Sequence, residues 1–298
     1  RFEVLTEAIN KERPSLNARM WAYRGVTVPI NVFDFTVSRD RCGPDDVLSE
    51  FRGFLMADCW SGFQQIYLRS DSRIVRCACM AHARRKVHEC RASHPQQASV
   101  LLAMFRQLYD IEDRAKDLSP EQRLAMRQTL STAVLKRMRE YLDSDAVQLP
   151  RVLPKSDFAQ AVKYLNNHWV QLNLYTTDGR IPIDNNDVEQ LMKQVATGRK
   201  NWLFLGSPDA DDRAATLLSL ISTALRHDLD VWAYLKAAID QLQAGSTDYH
   251  SLRPDVWKLA HPEFVRAYRT EERRDAATRT RQTRAQRRLA NAKKQSAR

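Results

Sequence analysis

Three groups of residues in this chain have the types and spacing to do chemistry. The run DNNDVEQLMKQVATGRKNWLFLGS, Asp184 to Ser207, opens with an acid and two amides, a helix-start signal, and sets Glu189 one turn into the helix. Arg199 and Lys200 follow in a GRKN segment that reads as a turn, with WLFLG behind it as a short strand. An acid held on a helix beside cations suits work on a phosphodiester: the acid holds a metal ion and the bases hold the strand. LMADCWSGF sets a second acid, Asp58, near the end of the dense apolar run Gly53–Trp60, the pattern of a buried central strand. A strand fixes the direction of such an acid; an acid there can also simply cap the following turn. Phosphoryl transfer with two divalent ions ~3.5–4 Å apart needs carboxylates converging from separate elements. Magnesium takes a few carboxylates and keeps its waters.

The third group is CACMAHARRKVHEC, Cys77 to Cys90. Zinc held by Cys77, Cys79 and His82, with His88 or Cys90, is one reading, although Cys-x-Cys-x2-His is not a usual zinc spacing. Packing of Cys77 and Cys79 as small apolar groups on one strand face is another. Arg84, Arg85 and Lys86 begin a helix, where cations oppose the macrodipole unless an anion is near. They read either as a phosphate contact or as a solvated face.

Asp58-Cys59-Trp60-Ser61-Gly62-Phe63, the Cys79/His82 pair with its Ala-Arg-Arg-Lys segment, and the Glu189 run together resemble the transposases of insertion sequence 66, a DDE-type family. The resemblance spans about residues 1 to 262. It implies that Asp58 and Glu189 are the second and third metal-binding carboxylates, with Mg²⁺ or Mn²⁺ as the ion. It further implies that His82 lies near the catalytic centre, and that Arg84, Arg85, Lys86, Lys193, Arg199 and Lys200 contact DNA. Gln190 stands where the family usually has Arg, and Lys193 where the next Arg is expected; Lys lacks the bidentate fork. The family's first Asp, in an Asp-(Glu/Asp)-Thr motif, falls just upstream of Arg1. Glu3, Glu7 and Asp34 sit in no matching motif. On this reading the chain is an N-terminally truncated member with two of three ligands, expected to bind catalytic metal poorly and to be inactive as a fragment. The implied activity is DNA transposition: metal-dependent cleavage of transposon ends and their joining to target DNA. Such work uses a homo-oligomer assembled on DNA, in the bacterial cytoplasm and on the nucleoid. The alternative is a non-catalytic DNA-binding remnant or assembly protein of a mobile element; a ribonuclease-H-type nuclease acting on hybrids is a weaker one.

The elements that must position these residues follow from periodicity. Ala18–Val26 and Pro29–Val37 alternate apolar and polar residues and read as neighbouring antiparallel strands, preceded by a strand end at Arg1–Leu5. Pro44–Arg52 reads as a short helix, and Ser72–Met80 as a further strand. From Ala81 to about Val170 apolar residues recur at three- and four-residue steps, and Ser119-Pro120-Glu121 is a helix opening. Two more helical runs follow Ser207. The fold class expected is α/β: a ribonuclease-H-like core with a long α-helical insertion and C-terminal helices. Residues 1–80 begin the core, 81–180 are the insertion, 181–207 complete the core, 208–245 are helical, and 246–298 form an irregular basic tail.

Bulk properties bound the rest. The formal net charge is +11. Between Arg266 and Arg298 there are 12 Lys or Arg and 3 Asp or Glu, so this tail holds +9 and the remainder only +2. A tail of this kind solvates itself or meets nucleic acid by phosphate neutralisation. Five cysteines without disulfide-scaffold spacing fit a reducing compartment. No apolar run reaches the ~20 residues of a bilayer span, and no basic-then-apolar leader argues for export.

Overall fold

The alternating segments near the start fold as strands. The computed structural model describes residues 2–5, 15–36, 42–59, 63–148, 155–202 and 208–296. Strands β1 (Phe2–Leu5), β2 (Ser15–Arg24) and β3 (Asn31–Thr36) form one sheet with β2 in the middle, and β1 pairs antiparallel to β2 with Phe2 opposite Ala18. After the short helix α1 (Cys42–Val47), β4 (Gly53–Ala57) and β5 (Ile74–Ala78) pair in parallel around α2 (Gln64–Arg69), with Ala57 opposite Ala78. A parallel pair requires a crossover, and α2 supplies it.

Helices α3 (Met80–Glu89) to α9 follow: α4 (Pro95–Ala115), α5 (Pro120–Met126), α6 (Thr132–Asp143), α7 (Asp145–Gln148), α8 (Asp157–Asn167) and α9 (Trp169–Asn173). Each long one buries a stripe at helical spacing. In α4 it is Ala98, Leu101, Phe105, Leu108 and Ile111; in α8 it is Phe158, Ala161, Val162 and Leu165. Full burial stabilises by about 1.5–3 kcal/mol for each large side chain. Helix α5 opens with a complete capping box, Ser119 accepting from the Gln122 N–H and Gln122 accepting from the Ser119 N–H. Between α5 and α6 lies one π-helical turn, Arg127–Ser131, whose Arg127 and Ser131 are buried.

The chain folds as two compact units, residues 1–22 with 35–207, and residues 23–34 with 208–298. In the second unit, α11 (Pro208–Arg226) satisfies the backbone of residues 31–33 with side-chain hydroxyls. Thr223 Oγ1 accepts from Asn31 N at 3.0 Å, Ser219 Oγ accepts from Phe33 N at 2.7 Å, and the Asn31 amide donates to Ser222 Oγ at 2.8 Å. The turn entering Asn31 needs glycine at Gly25, where a Cβ would stand 2.1 Å from the Val28 carbonyl oxygen. Helices α12 (Val231–Gln243), α13 (Pro254–Ala260) and α14 (Ala267–Ser296) complete this unit.

Two expectations change here. The region from residue 246 on is not irregular: α13 and a 30-residue α14 occupy most of it. From Ala267 to Ser296 there is no Gly or Pro, and Ala and Arg, both good helix formers, predominate. The start of α14 is tied down by Arg266 N donating to Asp228 O at 2.8 Å and by an Arg273–Asp228 ion pair. GRKN is not a turn either. It lies inside α10 (Asn186–Trp202), because one buried Gly198, costing about 1 kcal/mol relative to Ala, does not stop a helix of otherwise strong formers. The expected strand at 202–206 contributes Trp202 to the end of α10, and its remaining residues lie outside the described ones.

Candidate active site

Parallel pairing aligns the ends of β4 and β5. Asp58 follows Ala57, and Cys79 follows Ala78, so both leave the sheet at its carboxyl edge. In α/β sheets ligands gather at this edge. Cys79 is the N-cap residue of α3. Next to it, Met80 N donates to Ile183 O at 3.1 Å, and Asn185 N donates to Cys79 Sγ at 3.4 Å. These two bonds stitch the segment entering α10 to the edge that carries Asp58.

Helix α10 then aims its first-turn acid back at α3. Glu189 Oε1 lies 3.5 Å from His82 Nε2, and Glu189 Oε2 lies 4.0 Å from Arg85 Nη2. The Glu189 side chain is 40% exposed, so its oxygens remain open to a ligand beside the His82 ring and the Arg85 guanidinium. The His82 ring is more deeply set, and its Nδ1 is buried without a hydrogen-bond partner. Asp58 is exposed, and its charge is felt by the tyrosines Tyr67 and Tyr164, whose hydroxyl pKa values burial raises well above the usual range. Tyr164 also shares a hydrogen bond with Cys59.

Asp184, the acid that opens the helix-start signal, contributes more than a cap. Its Oδ1 accepts from Asn186 N at 3.1 Å, while Oδ2 accepts from the Tyr109 hydroxyl at 2.7 Å, so α4 helps fix the start of α10. Asn185 takes the N-cap position, its carbonyl accepting from Glu189 N.

A second clamp fixes the preceding segment. Arg127 is 1% exposed, donates to both carboxylate oxygens of Glu112 at 2.8 and 2.6 Å, and donates to the carbonyls of Tyr175, Asp178 and Ile181. Arg123 Nη1 reaches the Gly179 carbonyl at 3.2 Å, and Gly179 lies so near Pro120 that a Cβ would stand 1.8 Å from its carbonyl oxygen. The clamp sets where Ile183 meets α3, and therefore where Glu189 points. The sequence carries one signal for it: Arg127 and Ser131 stand at core-stripe positions of an otherwise apolar period.

The remaining singled-out residues are less gathered. Arg84 and Lys86 are exposed on α3, with Lys86 loosely paired to Glu89 at 3.9 Å. Lys193 and Lys200 are exposed on α10, which also carries Arg199. Trp60, Ser61 and Gly62 of the Asp58 motif lie outside the described residues. Cys77 and Cys79 are buried, and burial pushes the Cys77 thiol up to about 12 and raises Cys79 as well. No group of three or more His, Cys, Asp or Glu side chains forms a metal cage among the described residues. The two carboxylates match the oxygen preference of a hard divalent cation in kind, and they need at least one further ligand to hold it.

Comparison with known proteins shows the family. A family model described as "Transposase IS66 family" matches residues 3–213. Two proteins of Sinorhizobium fredii (strain NBRC 101917 / NGR234) are similar: "Uncharacterized protein y4hP", 32% identical over 81% of this chain and 48% of its own length, and "Uncharacterized protein y4jD", 31% identical over 82% and 48%. The chain spans about half the length of the curated relatives it matches. No solved structure matches. With its match covering most of the sequence, including Asp58, His82 and Glu189, the chain belongs to the IS66 family of transposases.

Proposed function

We propose that this chain carries the catalytic portion of a DNA transposase that cuts transposon ends and joins them to target DNA through Asp58 and Glu189. The observation supporting this reading is a shared sheet edge: Asp58 leaves β4 there, and Cys79 and Met80 bind the segment entering α10 to it. The antiparallel β1–β2 pair, followed by the parallel β4–β5 pair and a later acid-bearing helix, supports a ribonuclease-H-like core. Asp58 and Glu189 would hold a divalent cation such as Mg²⁺ or Mn²⁺, together with at least one further ligand. When bound, such a cation activates the attacking oxygen and neutralises charge on the leaving one.

The chain's own groups do the positioning. His82 and Arg85 hold Glu189 from one side, which limits its rotamers before DNA arrives. Arg84, Arg85 and Lys86 on α3, with Lys193, Arg199 and Lys200 on α10, supply positive charge for phosphates. Paired ends would require at least two copies. The test is nicking of transposon-end DNA with Mg²⁺ by the full-length protein. Glu189→Ala and Asp58→Ala are each expected to lower the rate by at least about 100-fold, the scale for removing a preorganised electrostatic group. Equal cutting by Glu189→Ala defeats the assignment. The second reading, a non-catalytic DNA-binding remnant, is favoured if the full-length protein binds DNA and never cuts it.

A further inference from the structure

The polar face of α8 is not used by the site described above. Its buried stripe of Phe158, Ala161, Val162 and Leu165 leaves Gln160, Lys163, Tyr164 and Asn167 together on the other side, again at steps of three and four. Helix α3 packs alongside. Between them lies an open cleft of about 610 Å³ lined by Lys86 of α3 and by Lys155, Gln160, Lys163, Tyr164, Asn167 and His168. Among the described residues three lysines line it and no acid does. Lys155 precedes the α8 N-terminus, capped by Ser156, where exposed N–H groups add to the positive field.

One wall leads to the candidate centre. Tyr164 lines the cleft, and it is also the tyrosine that hydrogen-bonds Cys59 and senses the Asp58 charge. Its ring stands edge-on to His168, with centroids 4.7 Å apart, giving a small aromatic surface among the lysines. Amides, lysines and a π-surface together are the groups that hold a single nucleic-acid strand, the cations tracking phosphates and the rings meeting bases. The volume is that of a nucleotide-sized ligand, within the ~300–1,000 Å³ range of small-molecule clefts. It is far too small to admit a duplex.

We propose that this cleft binds one strand of DNA, holding the phosphates next to the one at Asp58. The direction of the strand rests on the proposed transposase reading; the binding itself does not. A second cleft provides a contrast. It lies between α6 and α9 and is lined by Lys136 and Arg139 together with Glu140 and Asp143, so its charges cancel.

The experiment measures binding of a fluorescently labelled oligothymidylate to the chain in EDTA, over a range of salt. Lys155→Gln combined with Lys163→Gln is expected to weaken binding about tenfold at low salt. Loss of two phosphate contacts should also flatten the plot of log affinity against log salt by about 1.4. Lys163→Arg in the Lys155-intact chain should keep wild-type binding, and Lys136→Gln should leave the slope unchanged. Three results overturn the proposal: an unaltered slope in the double variant, an equal loss with Lys136→Gln, or blunt duplex binding as tight as the single strand. Displacement of the oligonucleotide by an equal concentration of phosphate groups as inorganic pyrophosphate overturns it too, since the cleft would then be a small-anion site. Strand capture in EDTA and cleavage by Glu189→Ala are separate readouts, so either reading can fail alone.

Discussion

Two cation–carboxylate clusters lie on the route to Glu189, and they are built in opposite ways. Around Arg127 each guanidinium nitrogen donates, with two bonds to Glu112 and three to backbone carbonyls, and the Tyr175 ring lies 5.0 Å from the guanidinium carbon. Around Glu189 the partners stand at 3.5 and 4.0 Å, the carboxylate is 40% exposed, and His82 Nδ1 is buried with nothing to bond. Buried polar groups in folded proteins are nearly always paired. The Arg127–Glu112 ion pair obeys the rule and holds a backbone segment still; His82 breaks it where an incoming ligand could complete it. Satisfaction of hydrogen bonds, more than the presence of charge, separates a structural ion pair from a candidate site.

The largest effect should come from breaking the satisfied cluster. Arg127→Ala leaves Glu112 and three carbonyls without their donor in the interior, and is expected to lower stability by about 3–5 kcal/mol, read by urea denaturation. Glu189→Gln, in the loose cluster, should change stability by no more than about 0.5 kcal/mol. Comparable losses from the two changes would erase the distinction between the clusters. At the loose cluster a smaller effect is expected in metal affinity: His82→Gln should weaken Mn²⁺ binding by the full-length protein by about 10–100-fold, the scale for a group that orients a ligand. Unchanged Mn²⁺ titration curves would assign His82 to packing alone.

The smallest lever is pH, at a histidine of the second unit. His227 Nε2 lies 2.9 Å from Pro29 O and Nδ1 lies 2.9 Å from Lys258 Nζ. Burial first, and then the Lys258 charge, hold its pKa below the ordinary value. A histidine depressed in the folded state contributes stability that is fully present above its unfolded value of about 6.5 and declines as pH falls below it. Thermal melts should therefore drop below that pH, and His227→Gln, which can keep both contacts, should flatten the decline. The loose Glu189 cluster is exposed, so Glu189→Gln should not flatten it.

Most of the strands are legible in the residues alone. Arg1–Leu5, Ala18–Val26, Pro29–Val37 and Ser72–Met80 contain the cores of β1, β2, β3 and β5, since a period of two is written in the residues themselves. The run holding Glu189 reads as a helix, as it is, but its GRKN end misleads, because the Gly suggests a stop where the helix continues. The basic C-terminal stretch misleads from the opposite side. Its lack of apolar residues argues against order, while its freedom from Gly and Pro allows a continuous helix.

The sequence by itself determined which residues could carry charge to a phosphodiester, and which segments alternate as strands or turn as helices, because side-chain chemistry and local period are properties of neighbours in the chain. Only the tertiary structure decided that Cys79 is bound to the start of α10, that His82 stands before Glu189, that Arg127 is a buried clamp, and that Lys86, Lys155 and Lys163 share one cleft with Tyr164. Those relations join positions far apart in sequence, and a distance across the fold is fixed by packing and hydrogen-bond satisfaction that no local pattern encodes.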